Sequence, residues 1–128
     1  MKKTILLTGL LLLTPSELGH ASRIKSRIGL AHITNYSHEE SSRLTASGHI
    51  LKDEDSGKVC AVGRDWWKKI IHPNDILIIG NEIVCVVKDT MAPRFTRRVD
   101  VYRSSRQEAL TLGITQKDVI IIEQIEQQ

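Results

Sequence analysis

Two aspartates, Asp89 and Asp100, stand at the ends of two β-like runs and could do acid–base chemistry together. Asp89 ends an apolar run, and Asp100 lies near the start of the next one. The loop between them, residues 91–98, is basic and contains Pro93. A strand that ends on an acid, a turn, and a strand that starts on an acid can bring two carboxylates into one cleft. Paired carboxylates in a cleft are typical of general acid–base catalysis.

Short apolar runs, separated by turn residues, would position this pair. They predict about six strands, at residues 30–36, 58–62, 76–79, 82–88, 99–102 and 119–123. Residues 22–29 show no periodicity, and we expect a lead-in without regular structure there. Many short strands with few helices favour a closed β-barrel over an α/β sheet.

One short helix is predicted after the last of the site-bearing strands. Ser105 and Glu108 have the spacing of a capping box, with Ser105 as the N-cap. The helix would run from Arg106 to Leu112 and stop at Gly113, a residue type common just beyond helix ends. A single helical turn with Asp65 as its N-cap is also predicted.

The N-terminus has the layout of a secretory signal peptide. Lys2 and Lys3 precede an apolar stretch at residues 5–13, and Gly19 and Ala21 provide the small residues of a cleavage site. The apolar stretch is too short to span a bilayer as a helix. We therefore expect residues 1–21 to be a signal peptide and residues 22–128 to form a single secreted or periplasmic domain of the cell envelope.

The overall charge and the absence of metal-ligand spacing exclude several function classes. The formal net charge is +3, and the basic residues are scattered rather than striped, so we expect no nucleic-acid partner. The histidines have no metal-ligand spacing, and no phosphate loop or dinucleotide motif is present in the sequence. We expect no metal, no other cofactor, no stable membrane span and a monomeric protein.

Two sequence features leave alternatives open. Cys60 and Cys85 lie in β-like runs, where they could form a disulfide in an exported protein or remain two buried thiols. Trp66 and Trp67 are adjacent, so an exposed tryptophan could stack on a sugar ring, whereas the alternative has both packing over a barrel end.

An ordered set of short motifs resembles the 3D domain family, which is named for three aspartates. The resemblance covers about Ile33 to Glu123 and rests on Thr45-Ala46-Ser47-Gly48, Val59-Cys60-Ala61-Val62 with Arg64-Asp65, Lys88-Asp89-Thr90-Met91, Arg98-Val99-Asp100-Val101-Tyr102 and Glu108-Ala109-Leu110 with Gly113. It implies an all-β fold, a six-stranded double-psi β-barrel with one or two short helices. The family includes bacterial enzymes similar to membrane-bound lytic transglycosylase A, which cleave peptidoglycan between N-acetylmuramic acid and N-acetylglucosamine and leave a 1,6-anhydro end.

The resemblance also implies roles for individual residues. Asp100 matches the catalytic acid, and Asp89 matches the neighbouring family aspartate. Asp65 is the nearest match to the first of the three aspartates, and Thr45 belongs to the matching Thr-Ala-Ser-Gly turn. With Thr90 they form the expected site, in which Asp65, Thr45 and Thr90 bind substrate.

One departure from the enzymes that the chain resembles lies in the basic loop. Where the transglycosylases have paired glycines after Asp-Thr, this chain has Met91-Ala92-Pro93, a bulkier sequence that could narrow the groove or serve another ligand.

We therefore expect a peptidoglycan-acting protein with lytic transglycosylase-like activity and Asp100 as its general acid/base. Such a reaction needs one protonated acid, and burial or a neighbouring carboxylate raises the pKa of a carboxyl group. The alternatives are a non-catalytic barrel that binds cell-wall glycan or a wall-enzyme partner, and a structural envelope module. In the structural alternative, Arg97 or Arg98 pairs with the aspartates and holds the fold.

Overall fold

The computed structural model describes residues 20–39 and 42–126, which fold around six strands. The strands are β1 His20–Tyr36, β2 Val59–Val62, β3 Ile76–Ile79, β4 Ile83–Thr90, β5 Arg98–Tyr102 and β6 Thr115–Glu126. A 3-10 helix occupies Asp53–Asp55, and one α-helix, α1, occupies Arg106–Leu112. The predicted all-β fold with one or two short helices is confirmed.

The six strands close into a barrel in the order β1-β5-β2-β4-β3-β6. Strand β1 runs parallel to β5, and β2 runs parallel to β4, whereas the other neighbouring pairs are antiparallel. Closure removes free sheet edges, so every strand has a partner on both sides. This mixed barrel places strands that are distant in sequence side by side, which matters for the site.

Alternate residues of each strand fill the barrel interior. The fully buried interior is mainly aliphatic and includes Val62, Leu77, Val87, Val99 and Ile121. Because side chains of a strand alternate between its two faces, the residues between these positions point outward.

A disulfide lies in the barrel interior and settles the alternatives left open for the cysteines. Cys60 of β2 and Cys85 of β4 are joined, and both side chains are fully buried. The bridge therefore connects two neighbouring strands of the barrel through its core.

Aromatic and aliphatic side chains also pack on the outside of the barrel, along β1 and β5. Leu51, Val59 and Tyr102 form a second buried cluster, and Tyr36 packs against it. The rings of Tyr36 and Tyr102 meet edge to face with their centroids 5.7 Å apart. This cluster fixes the segment around Leu51 over the outer surface, next to the strands that carry Asp89 and Asp100.

The structure confirms the predicted helix and corrects two other expectations. Helix α1 has the predicted bounds, and the Ser105 side chain accepts a hydrogen bond from the Glu108 N–H. Residues 22–29 are not an irregular lead-in but the first part of β1, paired with β6. Register shifts between Ile24 and Ser26 and between Arg27 and Gly29 interrupt the alternation of inward and outward side chains. The alternating apolar pattern that would predict a strand is therefore absent from this part of the sequence.

Asp65 does not start a helical turn. Residues 63–71 form successive turns, and the Asp65 carboxylate accepts a hydrogen bond from the backbone N–H of Arg97 at 3.0 Å. The side chain therefore ties the chain after β2 to the basic loop before β5.

Most of the predicted signal peptide lies outside the described residues. Only His20 and Ala21 are described, and their backbones pair with Glu126 and Ile125 of β6. No helix within the described ranges is both long and apolar enough to cross a membrane.

Candidate functional site

Asp89 and Asp100 lie on strands that flank the same residue of β2. Ala61 of β2 is the register partner of Asp89 on β4 and of Asp100 on β5. Register partners on neighbouring strands point to the same face of a sheet. Since Cys60 and Val62 point into the core, Ala61 and both acids point outward. Two strand spacings separate the backbones of the acids by roughly 9.5 Å.

A β-bulge is what turns Asp89 outward. Cys60 pairs with Val87 and Ala61 pairs with Asp89, so Lys88 is an extra residue in β4. Without it, Asp89 would share the inward orientation of Val87, because both would fall on the same side of a regular strand. The bulge therefore aligns Asp89 with Asp100.

Asp100 is held from the β1 side. Thr34 is its register partner on β1, and the Thr34 hydroxyl donates a 2.9 Å hydrogen bond to Asp100 Oδ1. Thr34 is itself buried, so this bond is shielded from competing water. The side chain of Asp100 is half-buried and belongs to the barrel wall itself.

Asp89 is held by a turn that folds over the barrel. Its Oδ1 accepts 2.9 Å hydrogen bonds from the N–H groups of Ala46 and Thr90. The same turn is fixed by the Ser47 N–H, which donates to the Lys88 carbonyl at 3.1 Å. Asp89 therefore docks residues 45–48 onto β4 and forms one wall of the site.

Thr45 and Thr90, the two threonines predicted to bind substrate, use their hydroxyl groups to hold the backbone around Asp89. The Thr45 hydroxyl donates to the His49 carbonyl at 2.8 Å and closes the turn, and its side chain is buried. The Thr90 hydroxyl donates to the Val62 carbonyl at 2.9 Å. Both hydroxyls are used within the fold, and the structure places them at the border of the site.

Tyr36 is a member of the site that the sequence reasoning missed. It lies two residues after Thr34 on the same outward face of β1. Its hydroxyl oxygen is buried and has no hydrogen-bond partner among the described residues. Burial raises the pKa of Tyr36 far above its ordinary value, and the nearby charges of Asp89 and Asp100 raise it further. A neutral phenol with an unused O–H therefore lies beside both acids. The sequence feature that could have identified Tyr36 is its outward position at the end of a strand with alternating side chains.

Asp65 lies one step further along the same face. The Cβ that Gly63 lacks would clash with Asp65 Oδ1 and come within 2.9 Å of the Phe95 carbonyl. Gly63 follows β2 two residues after Ala61, so the Asp65 carboxylate occupies the space next to the acid pair along the strand. Asp65 Oδ1 is buried and has no hydrogen-bond partner in the described ranges. All three aspartates thus lie over the outward face of β2.

The neighbouring tryptophans pack against the fold. Trp66 is buried in the core, and Trp67 is partly buried and packs against it. The Arg97 guanidinium lies 5.7 Å from the Trp66 ring centroid and donates to the Leu30 carbonyl at 2.6 Å. The packing alternative therefore describes this pair better than the sugar-stacking one.

Other features of the surface lie apart from the acids. Among the described residues, no group of three or more His, Cys, Asp or Glu side chains could hold a metal ion. A shallow depression of about 480 Å³ is lined by Arg106, Gln107, Leu110 and Thr111 of α1. None of the residues predicted for the site lines it.

Comparison with known proteins supports the fold and leaves the family open. No family model matches the sequence, and no curated protein matches it. Among solved structures, the chain is similar to the Streptomyces papain inhibitor, with 15% identity and a TM-score of 0.53. The similarity covers 77% of this chain and 96% of the inhibitor. At this identity the likeness shows a shared barrel fold alone.

Proposed function

We propose that this protein is exported to the cell envelope and cleaves the glycan of peptidoglycan in the manner of a lytic transglycosylase. One observation carries the proposal: Asp89 and Asp100 are both register partners of Ala61 and point to the same outward face. Ala61 is itself buried, so other groups cover the position between the two acids, and a sugar ring would contact the carboxylates from outside that cover.

In the proposed reaction, Asp100 is the general acid and then the general base. The protonated Asp100 carboxyl donates its proton to the glycosidic oxygen while the bond from that oxygen to C1 breaks. The resulting carboxylate takes a proton from the 6-hydroxyl of the same sugar, whose oxygen bonds to C1. The product carries a 1,6-anhydro ring, and no water molecule is consumed.

The contacts of the two acids favour this division of roles. Asp89 Oδ1 already accepts two backbone N–H bonds that dock the turn at residues 45–48. Asp100 is fixed through Oδ1 by the Thr34 hydroxyl, a neutral donor that can rotate. Asp89 therefore suits the role of a wall and a nearby charge beside Asp100.

Export is supported by two features that do not depend on the acids. Residues 5–13 have the apolar composition of a signal-peptide core, and the barrel contains the Cys60–Cys85 disulfide. Disulfides persist in oxidising compartments such as the periplasm and the cell exterior.

The test is digestion of purified peptidoglycan by the mature protein, followed by mass spectrometry for 1,6-anhydro products. Asp100→Asn should abolish their formation, because an amide cannot donate and retake the proton. Asp118→Asn is the matched control, since Asp118 is an exposed aspartate of β6, and it should retain activity. Unchanged product formation by Asp100→Asn would refute the assignment, and glycan binding without products would favour a non-catalytic barrel.

A second candidate is a module that binds a protein, as the name of the papain inhibitor suggests for that neighbour. Leu44 and Ile50 favour it, because they bridge to each other at the base of the turn and are 62% and 58% exposed. An inhibition assay against papain separates the candidates. Inhibition that survives Asp100→Asn and is lost in Leu44→Ser would support this second function.

A further inference from the structure

A cluster of isoleucines lies on the outside of the barrel, opposite the aspartates. It is centred on β6, which is three strands away from β2 in either direction around the barrel. Neighbouring residues of the same strands, Leu77, Val119 and Ile121, point into the core, so the isoleucines point outward. The isoleucine face is formed by Ile24 of β1, Ile76 and Ile78 of β3, and Ile120 and Ile122 of β6.

The strand register aligns the isoleucine face in two rows. Ile122 is the register partner of both Ile24 and Ile76, so these three side chains lie side by side across three strands. Ile120 is the register partner of Ile78 and lies one row further along. Register partners share a face of the sheet, and the five side chains therefore form one continuous apolar surface.

The isoleucine face is buried although it points away from the core. Ile78, Ile120 and Ile122 are only 8%, 4% and 3% exposed. Val84 of β4 provides an internal comparison, because it is the register partner of Ile78 and points to the same side of the sheet, yet it is 59% exposed. An outward aliphatic side chain flanked by its strand neighbours can thus stay largely exposed on this barrel, and the isoleucine face needs a cover.

The chain contains a segment with the chemistry and the reach to be this cover. Among the residues that the structure describes, the members of the cluster are the five isoleucines themselves. Residues 5–13, which precede β1, are seven aliphatic residues with one threonine and one glycine, and none of them is charged.

The link between this segment and β1 is long enough for it to fold back. Residue 13 lies seven positions before His20, and seven extended residues reach roughly 23 Å. Strand β3 lies two strand spacings, about 9.6 Å, from β1. Residues 5–13 can therefore lie across β1, β6 and β3.

We propose that residues 5–13 dock on the isoleucine face of the same chain. Removal of apolar surface from water on both sides drives such docking, and the short link to β1 holds the segment at a high effective concentration. The inference does not depend on glycan cleavage, and it gives the segment that is proposed to direct export a second role as a cover. Cleavage after Ala21 would remove the cover and expose the isoleucine face.

Photo-crosslinking of the full chain tests this contact directly. The protein is produced without export, so that residues 1–21 stay attached, and it is oxidised so that the Cys60–Cys85 disulfide forms. A benzophenone amino acid in place of Leu12 should crosslink on irradiation to peptides of β3 or β6, identified by mass spectrometry. The same label in place of Leu110, a 64% exposed residue of α1, is the control and should not crosslink to those strands.

Substitutions on the two sides of the contact test its apolar character. Leu11→Asp changes the segment and leaves every barrel residue intact, so it should remove most of the crosslink from position 12, because a charge is strongly disfavoured against five isoleucines. It should also raise the fluorescence of ANS, a dye that binds exposed apolar surface. On the barrel, Ile122→Ser should lower the crosslink yield, and Val84→Ser is the matched control that should leave it unchanged. Circular dichroism checks that each variant is folded.

A mixture of ¹⁴N-labelled and ¹⁵N-labelled chains separates the segment from a second copy of the protein. Crosslinks within one chain support the inference, whereas crosslinks that join a light chain to a heavy chain would mean that a second copy covers the face and would overturn it. Crosslinks from position 12 to other parts of the barrel would overturn it too. So would parental crosslink yield and ANS fluorescence in Leu11→Asp. None of these results bears on glycan cleavage, which peptidoglycan digestion tests separately.

Discussion

Replacing Asp89 tests whether this acid holds the fold, serves the chemistry or does both. The Asp89→Ala variant removes the oxygen that accepts the N–H groups of Ala46 and Thr90, each at 2.9 Å. The Asp89→Asn variant keeps an amide oxygen in the same place and removes only the negative charge. The two variants therefore separate the hydrogen bonds from the charge.

The expected cost follows from the surroundings of the two bonds. A hydrogen bond to a charged group contributes about 1.5–3 kcal/mol, and the lower end applies where one partner is exposed, as Ala46 is. We expect Asp89→Ala to lower the free energy of unfolding by about 2–3 kcal/mol and Asp89→Asn by less than about 1 kcal/mol. Both variants should produce fewer 1,6-anhydro products, because both lose the charge beside Asp100.

Urea denaturation at neutral pH, followed by tryptophan fluorescence, gives the free energies, and peptidoglycan digestion gives the activity. Limited proteolysis at residues 45–48 reports whether the turn has detached in Asp89→Ala. The reasoning fails if Asp89→Ala is as stable as the parent, because the turn would then not depend on this carboxylate. It fails in its chemical part if Asp89→Asn cleaves glycan at the parental rate.

Two further variants have clear expected outcomes. Tyr36→Phe removes a buried hydroxyl that has no hydrogen-bond partner in the described structure, so thermal melting should show equal or slightly higher stability of the variant. Glycan cleavage should fall if the phenol serves the acids. A lower melting temperature would show that the hydroxyl is bonded in the parent protein. Asp55 is partly desolvated, which opposes ionisation, yet hydrogen bonds from His49 and the Lys52 N–H hold the pKa of Asp55 below its ordinary value. Its contribution to stability is therefore present above the unfolded-state pKa of about 4 and is lost as the pH falls through the lower folded-state pKa. Asp55→Asn should unfold more easily than the parent in urea at pH 7, with the difference shrinking toward pH 2; a constant difference would contradict the linkage.

The fold was largely predictable because its elements are encoded locally. The capping pair Ser105 and Glu108 predicted helix α1 with its observed bounds, and the apolar run Ile76 to Ile79 is strand β3. Strand β1 was predicted only in its second half, since the register shifts near Ile24 and Arg27 break the alternation on which the prediction relied.

Of the candidate site, the sequence predicted the acidic residues but not the residues that hold them. Asp89 and Asp100 stood out because charged residues at strand ends are visible in a single sequence. Their partners were not visible, since Thr34 is 66 residues from Asp100 and Ala46 is 43 residues from Asp89. Contacts at such separations depend on which strands are neighbours, and this information lies in the barrel topology rather than in a local pattern.

The bulge at Lys88 shows how one residue links the fold to the proposed chemistry. The Lys88 carbonyl accepts from Ser47 at 3.1 Å, and Lys88 Nζ donates to Asn74 Oδ1 at 2.5 Å, so the extra residue is held from two directions. A regular strand would bury the Asp89 carboxylate in the apolar interior, where an unpaired charge is strongly unfavourable. The core therefore favours the bulged register, and that register places Asp89 beside Asp100. The turn at residues 45–48 stabilises the same register, because it binds both the bulge and the carboxylate.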